Sequence, residues 1–305
     1  MLNRSTVSRN NSFHAGQGIA NYGGSFTAID STVANNGGQF HESGGGFFVY
    51  AGTVALTNCT ISSNSSDTGA GIENSLGNIA LDSCTVTMNA ADHQWRGLFN
   101  RGGGTITLRN CIVADNLTRS SPTNSDLAGA FISGSYNLIG FGEGSTGFTN
   151  GANHDQVGTS TTPIDPKLGP LQDNGGPTFT HALRFDSPAI DAGHSGGLTT
   201  DQRGLPRPID DPDTANASGG DGSDIGAYEA DPNLRITAIV QVGADIRLRF
   251  NSVFGKNYRM DREDTLNNSW SVLFNNLPGT GGIIEILDPG VTHQPRRFYR
   301  AEKLP

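Results

Sequence analysis

The chain has 305 residues and a formal charge of -9, with 42 Gly and only 20 Lys and Arg. Its length admits two units with cores of their own, and the acidic balance excludes nucleic acid as a partner, because phosphate binding needs clustered cations. No run reaches the ~18 apolar residues of a membrane span, and three Cys without a Cys-x-x-Cys pair build neither a disulfide framework nor a zinc site.

The first 116 residues repeat. Ser5-Thr6-Val7-Ser8-Arg9-Asn10, Ser31-Thr32-Val33-Ala34-Asn35-Asn36, Cys59-Thr60-Ile61-Ser62-Ser63-Asn64, Cys84-Thr85-Val86-Thr87-Met88-Asn89 and Cys111-Ile112-Val113-Ala114-Asp115-Asn116 share one pattern, with central apolar residues 26, 28, 25 and 27 positions apart. Each copy follows an alternating strand such as Val54-Ala55-Leu56-Thr57 or Ile106-Thr107-Leu108-Arg109. A shorter segment precedes that strand: Gly18-Ile19-Ala20-Asn21, Gly46-Phe47-Phe48-Val49, Gly71-Ile72-Glu73-Asn74 and Gly97-Leu98-Phe99-Asn100. Three strands per repeat cannot pair as hairpins in constant register, but each can pair with its equivalent one repeat on. The expected fold is therefore all-β, a parallel β-helix. Stacking then makes Cys59, Cys84 and Cys111 an inward ladder continued by Ser31 and Ser5, and makes Asn10, Asn36, Asn64, Asn89 and Asn116 a turn ladder of hydrogen-bonded amides. Alternation turns Asp30, Asp82 and Arg109 outward as solvated residues.

His14, His41 and His93 fall seven or eight residues past the central apolar residue of their repeats, so the loops carrying them share one edge of the coil. With Asp67, Trp95 and Arg96, and with Phe13, Phe40 and Asp92 nearby, they are candidates to line a glycan groove. An acidic stretch, Asp210, Asp211, Asp213, Asp221 and Asp224, offers hard oxygen ligands suited to calcium, although its spacing is not that of an EF-hand loop.

After Asn116 the motifs change to Tyr136-Asn137-Leu138-Ile139-Gly140, 163–178 (PIDPKLGPLQDNGGPT), Ser187-Pro188-Ala189-Ile190-Asp191-Ala192-Gly193, Thr200-Asp201-Gln202-Arg203-Gly204 and Asp224-Ile225-Gly226-Ala227-Tyr228-Glu229. This ordered set resembles the choice-of-anchor Q family of bacterial surface and secreted proteins, over residues 1–230. The resemblance implies a pectin-lyase-like right-handed parallel β-helix, export, and surface attachment by an anchor that varies among members; it implies no particular reaction. In that motif Asp191, Asp201 and Arg203 are expected to form a salt-bridge set closing the end of the helix. The first residues have no apolar signal-peptide core and open inside a coil, so a truncated start is expected.

Six alternating runs fill residues 233–305, at 234–239, 245–250, 257–261, 269–273, 283–287 and 297–300, and predict a small β-sandwich. Gly255-Lys256-Asn257-Tyr258 and Pro295-Arg296-Arg297-Phe298-Tyr299-Arg300 resemble the C-terminal fibronectin type III-like modules of large secreted bacterial proteins. Trp270, Tyr258 and Tyr299 are expected to pack in its core.

Repetition accounts for most conspicuous residues without chemistry, so the expected function is non-catalytic: a monomeric extracellular or cell-surface protein, for adhesion or for binding a polysaccharide or cell-surface glycan. The alternative is a polysaccharide lyase or glycoside hydrolase of the pectin-lyase-like fold, which would need paired carboxylates and a base that the sequence does not bring together.

Overall fold

The computed structural model describes residues 1–12, 14–37, 43–94, 97–118, 126–265, 269–290 and 296–304; the side chains of 93, 94, 117 and 118 lie outside the description. Nearly every regular element is a strand, and among the described residues one 3-10 turn, Ala152–His154, is the only helical segment.

Three parallel sheets run the length of the coil. The first face stacks Leu2–Asn3, Ser25–Ile29, Thr53–Thr57, Asn78–Asp82, Thr105–Arg109 and Ile132–Ser133. The second stacks Thr6–Ser8, Thr32–Ala34, Thr60–Ser62, Thr85–Thr87, Ile112–Ala114, Leu138–Ile139 and Gln156–Val157. The third stacks Ile19–Asn21, Phe47–Val49, Ile72–Asn74, Leu98–Asn100, Leu127–Ala130 and Ser145–Thr146. Register follows the sequence repeat: Val7, Val33, Ile61, Val86 and Val113 are successive partners. They point inward against Leu56, Leu81 and Leu108 of the first face and Phe47, Ile72 and Leu98 of the third. Each such side chain, once buried, contributes about 1.5–3 kcal/mol.

Two ladders fix the corners. Each ladder asparagine hands its Nδ2 to the Oδ1 of the next, Asn10 to Asn36, Asn36 to Asn64, Asn64 to Asn89 and Asn89 to Asn116, at 2.9–3.0 Å. The amide chain ends on a carboxylate: Asn116 donates through both N and Nδ2 to Asp126 Oδ1 at 2.9 Å, and Phe141 N donates to Oδ2 at 2.8 Å. An asparagine at 126 could not accept on both sides, which is why the series changes residue there. The residue before each ladder asparagine is left-handed, with φ of 58° at Arg9 and Asn35 and 57° at Ser63, Met88 and Asp115. For a residue with a Cβ that conformation is unfavourable, and the buried amide bonds offset it.

At the corner between first and second faces, Ser5, Ser31, Cys59, Cys84 and Cys111 each donate to the carbonyl two residues back. The three thiols are free and buried, and burial first, then its thiol neighbours, pushes Cys84 well above the ordinary thiol range.

Alternation would leave half of each second-face strand in water, yet all three residues of Thr32–Ala34, Thr60–Ser62, Thr85–Thr87 and Ile112–Ala114 are buried. Residues 163–230 cover them. Gln202 is the central clasp: its Nε2 donates to Thr32 and Thr178 hydroxyls, both at 2.9 Å, and its Oε1 accepts from Thr60 at 2.6 Å. Further along, Ala227 N donates to Thr85 Oγ1 and Asn110 Nδ2 to the Asp224 carbonyl, both at 3.0 Å. Asp191, Asp201 and Arg203 therefore do not close the end of the helix as expected. They lie in a segment along its flank, because the segment finds its partners in outward hydroxyls of several successive coils.

Outward does not mean solvated for the first-face acids either. Asp30 is buried, receiving Asn58 Nδ2 at 3.3 Å and Arg4 Nε at 3.5 Å, and Asp82 is ion-paired with Arg109.

The C-terminal residues form two antiparallel sheets, Ile236–Val242, Asp245–Asn251 and Ile283–Asp288 in one, and Ser271–Pro278, Asn257–Glu263 and Phe298–Lys303 in the other. Leu248, Phe250, Tyr258, Met260, Ile284 and Ile286 meet between them. Tyr228 donates its hydroxyl to the Gly281 carbonyl, and Phe185 N donates to the Phe254 carbonyl at 3.3 Å, joining this unit to the covering segment.

Candidate functional site

The third face is where the outward residues and the predicted loop edge meet. Beyond the asparagine corner the loops pair as a small parallel sheet of Ser65–Thr68, Ala90–Gln94 and Leu117–Thr118. Ala90 pairs with Ser65, Ala91 with Ser66 and Gln94 with Thr68, with a bulge between. Asp67 consequently lies across from Asp92 and His93 on the neighbouring coil. His14 is exposed on the first coil, its N bonded to Ser12 Oγ at 3.1 Å. His41, Trp95 and Arg96, with Phe13 and Phe40, lie outside the described residues, as does the side chain of His93.

The outward row of the third face is Ala20, Phe48, Glu73, Phe99 and Ala128. Phe48 and Phe99 retain 9% exposure, and Glu73 none. The Glu73 carboxylate is held from two sides: Thr68 of the loop sheet donates to Oε2 at 2.8 Å, and Arg101 of the next coil to Oε1 at 3.2 Å.

Opposite the loops, the residues that follow Asn21, Val49, Asn74 and Asn100 in register are Tyr22, Tyr50, Ser75 and Arg101. Tyr22 is 62% and Tyr50 49% exposed, with ring centroids 6.3 Å apart, and Tyr22 packs edge-on against Phe48 at 5.9 Å. From Phe48 to Ala128 the outward row of this face is thus buried, with the loop sheet on one side and an exposed tyrosine rim on the other. Sequence reasoning missed the rim. The available signal was a Tyr immediately after the short strand in two consecutive repeats, where nothing in the coil core requires an aromatic.

The five candidate calcium ligands do not converge. Asp221 accepts from Ser195 N and Oγ, the latter at 2.6 Å; Asp224 accepts from Asp191 N at 2.9 Å and Ala230 N at 2.6 Å; Asp211 Oδ1 caps Asp213 N at 3.1 Å; Asp210 is exposed. Among the described residues no three His, Cys, Asp or Glu side chains stand together as metal ligands.

Around Asp224 lies a buried ionic set. Arg207 Nε reaches Glu229 Oε2 at 2.7 Å, Arg203 Nε reaches Asp201 Oδ2 at 2.7 Å, and Arg203 stacks 3.7 Å above the Tyr228 ring. Burial raises Asp224, Glu229 and Asp191, the last to about 7, and Asp191 Oδ1 has no hydrogen-bond partner. Burial also pushes Asp126 up to about 7 and Asp115 to about 6. For Asp191, Asp126 and Asp115 the folded chain keeps protons that the unfolded chain has released, so their contribution is complete below about pH 4 and is lost as pH rises through about 6 to 7, and the upward shifts of Asp224 and Glu229 act in the same direction. Buried His181, lowered from 6.5, works in the opposite direction, but it is one group against five carboxyls. The urea midpoint is therefore expected to be higher at about pH 5 than at about pH 8, and Asp191→Asn to flatten part of that slope; an equal midpoint at both pH values would refute it.

Two neighbouring serine and histidine pairs resemble nucleophile and base but are not arranged for catalysis. Ser62 Oγ and His181 Nε2 are 2.8 Å apart, with His181 Nδ1 2.7 Å from the Gly169 carbonyl, yet both residues are buried under the covering segment. Near the surface, Ser195 donates to Asp221 directly and His194 Nδ1 accepts from Gly196 N at 2.9 Å, so the imidazole neither relays to the carboxylate nor receives the serine proton.

In the C-terminal unit Tyr258 is 1% exposed and Tyr299 donates to Asp288 Oδ2 at 2.9 Å, while Trp270 lies half-buried beneath the Arg300 guanidinium.

Fold and site together define a parallel β-solenoid with one face sheathed by its own chain and two exposed tyrosines beside another, followed by antiparallel sheets. Comparison with protein-family models, with curated proteins and with solved structures finds no match.

Proposed function

We propose that this chain is a non-catalytic extracellular surface module that binds glycan along its third face. The observation that carries this reading is the exposed Tyr22–Tyr50 pair, one ring per coil, with Tyr22 braced edge-on against Phe48. Aromatic faces bind the apolar side of a sugar ring while neighbouring polar groups fix its hydroxyls. The likeness of residues 1–230 to choice-of-anchor Q proteins, and of the C-terminal unit to fibronectin type III-like modules, supports export and display at a cell surface.

The test is incubation of the purified chain with neutral and acidic polysaccharides, following retention, new reducing ends and ultraviolet absorbance of unsaturated products. Retention without cleavage is expected, and Tyr22→Ala with Tyr50→Ala should weaken it by about ten-fold or more while shifting stability by less than about 1 kcal/mol, as for surface changes. Cleavage of any polymer would replace this reading with a polysaccharide-active enzyme; retention by nothing would leave a scaffold.

A further inference from the structure

We propose that the cavity between the covering segment and the first coil binds a small aromatic carboxylate, Arg9 holding the carboxylate and Phe179 the ring. The site is lined by none of the third-face residues, so it stands independently of the glycan-binding reading.

The covering segment makes the cavity by stopping short. The second-face strands Thr32–Ala34, Thr60–Ser62, Thr85–Thr87 and Ile112–Ala114 are buried throughout, whereas Thr6 and Ser8 of the first coil are exposed. The space beside them is a cavity of about 370 Å³, within the roughly 300–1,000 Å³ of small-molecule sites. Its wall on the covering segment is apolar, formed by Leu171, Pro177 and Phe179. Phe179 is 52% exposed although both neighbours, Thr178 and Thr180, are buried. Its carbonyl accepts Thr32 Oγ1 at 2.7 Å and Gln202 Nε2 at 3.3 Å. A fixed backbone therefore holds out a ring that joins none of the three apolar cores.

The wall on the coil is polar, and its side chains are uncommitted. Thr32 and Thr178, which also line the cavity, are tied to Gln202, both at 2.9 Å. By contrast, among the described residues the Arg9 guanidinium and the Thr6 and Ser8 hydroxyls have no hydrogen-bond or ion-pair partner. Arg9 is also the one charged residue lining the cavity, so the site is cationic in a chain whose formal charge is -9. An unpaired guanidinium keeps its planar fork of donors for a carboxylate, and an exposed ring offers its face or edge to another ring. An aromatic acid uses both walls. A sugar acid would set its hydroxyls against the apolar wall, and a neutral aromatic would leave the guanidinium unused.

Isothermal titration and ligand-observed NMR on the full chain test this, with naphthoate and coumarate as probes, naphthamide as the uncharged analogue and galacturonate as the polar acid. Both aromatic acids should bind with a Kd of about 1 mM or tighter, and naphthamide and galacturonate about ten-fold more weakly. Arg9→Gln should bring naphthoate down to the level of its amide, and Phe179→Ala should weaken both about ten-fold. Both side chains are exposed, so each variant should keep native far-ultraviolet dichroism. Tyr22→Ala with Tyr50→Ala should leave naphthoate binding unchanged, which separates this site from the third face. Failure of both aromatic acids to bind, galacturonate bound as tightly as naphthoate, or a folded Arg9→Gln that still prefers naphthoate to its amide overturns the proposal. Loss of naphthoate in the tyrosine variant overturns it too, by placing the ligand on the third face.

Discussion

Asn64→Ala is expected to cost about 4 kcal/mol. Its Nδ2 serves the Val33 carbonyl and Asn89 Oδ1 at 3.0 and 2.9 Å, and its Oδ1 receives both N and Nδ2 of Asn36 at 3.0 Å. Alanine leaves two Asn36 donors without their acceptor in a dry corner, each at about 1–3 kcal/mol, and removes the side-chain bond to the Val33 carbonyl. Each coil is supported mainly by its neighbours, so the loss falls on the middle of the stack. Asn10→Ala, at the first coil, removes a single part-buried donor to Asn36 and should cost about 1 kcal/mol. Urea unfolding of the two variants measures the difference; equal midpoints would mean that the ladder is not a cooperative stabiliser.

Arg207→Ala is expected to lose about 3–5 kcal/mol near neutral pH, because it strands Glu229 without a counter-charge in a site where both side chains have 0% exposure. Arg207 also donates to the Gly226 carbonyl at 2.8 Å, and Glu229 Oε1 anchors Ile209 N at 2.7 Å, so the backbone on both sides of the clasp is affected. Burial already raises Glu229, with Arg207 as the main opposing influence. Without the guanidinium the carboxyl can take a proton, and the deficit should shrink as pH falls into the acid range. Thermal unfolding at acid and neutral pH checks this. A deficit independent of pH would show that Arg207 acts through packing rather than charge.

The coil was legible because its information is periodic. Apolar residues at a repeat of 25–28 positions specify which strands pair, and the observed partners of Val33 and Ile61 are the ones the repeat predicts. The asparagine and cysteine ladders follow from the same stacking. The covering segment 163–230 was not legible in place, since it has no period. Its docking depends on Gln202 finding Thr32 and Thr60, residues more than a hundred positions away. One cue existed: outward second-face positions such as Thr32, Thr60, Thr85 and Ile112 are uncharged, whereas the first face carries Asp82 and Arg109. The loop edge was half legible. Spacing put Asp67 and His93 in equivalent loops, but the exposed rim of Tyr22 and Tyr50 breaks the repeat by having Ser75 and Arg101 as its next members, so it reads as irregularity until the coils are stacked.

Hydrogen exchange of the full chain with and without a retained polysaccharide tests the central claim most directly. Added protection is predicted at Ile19–Asn21, Phe47–Val49, Ile72–Asn74 and the loop strand Ser65–Thr68, with no change on the sheathed second face. Protection confined to the first face or to the C-terminal sheets would contradict the account.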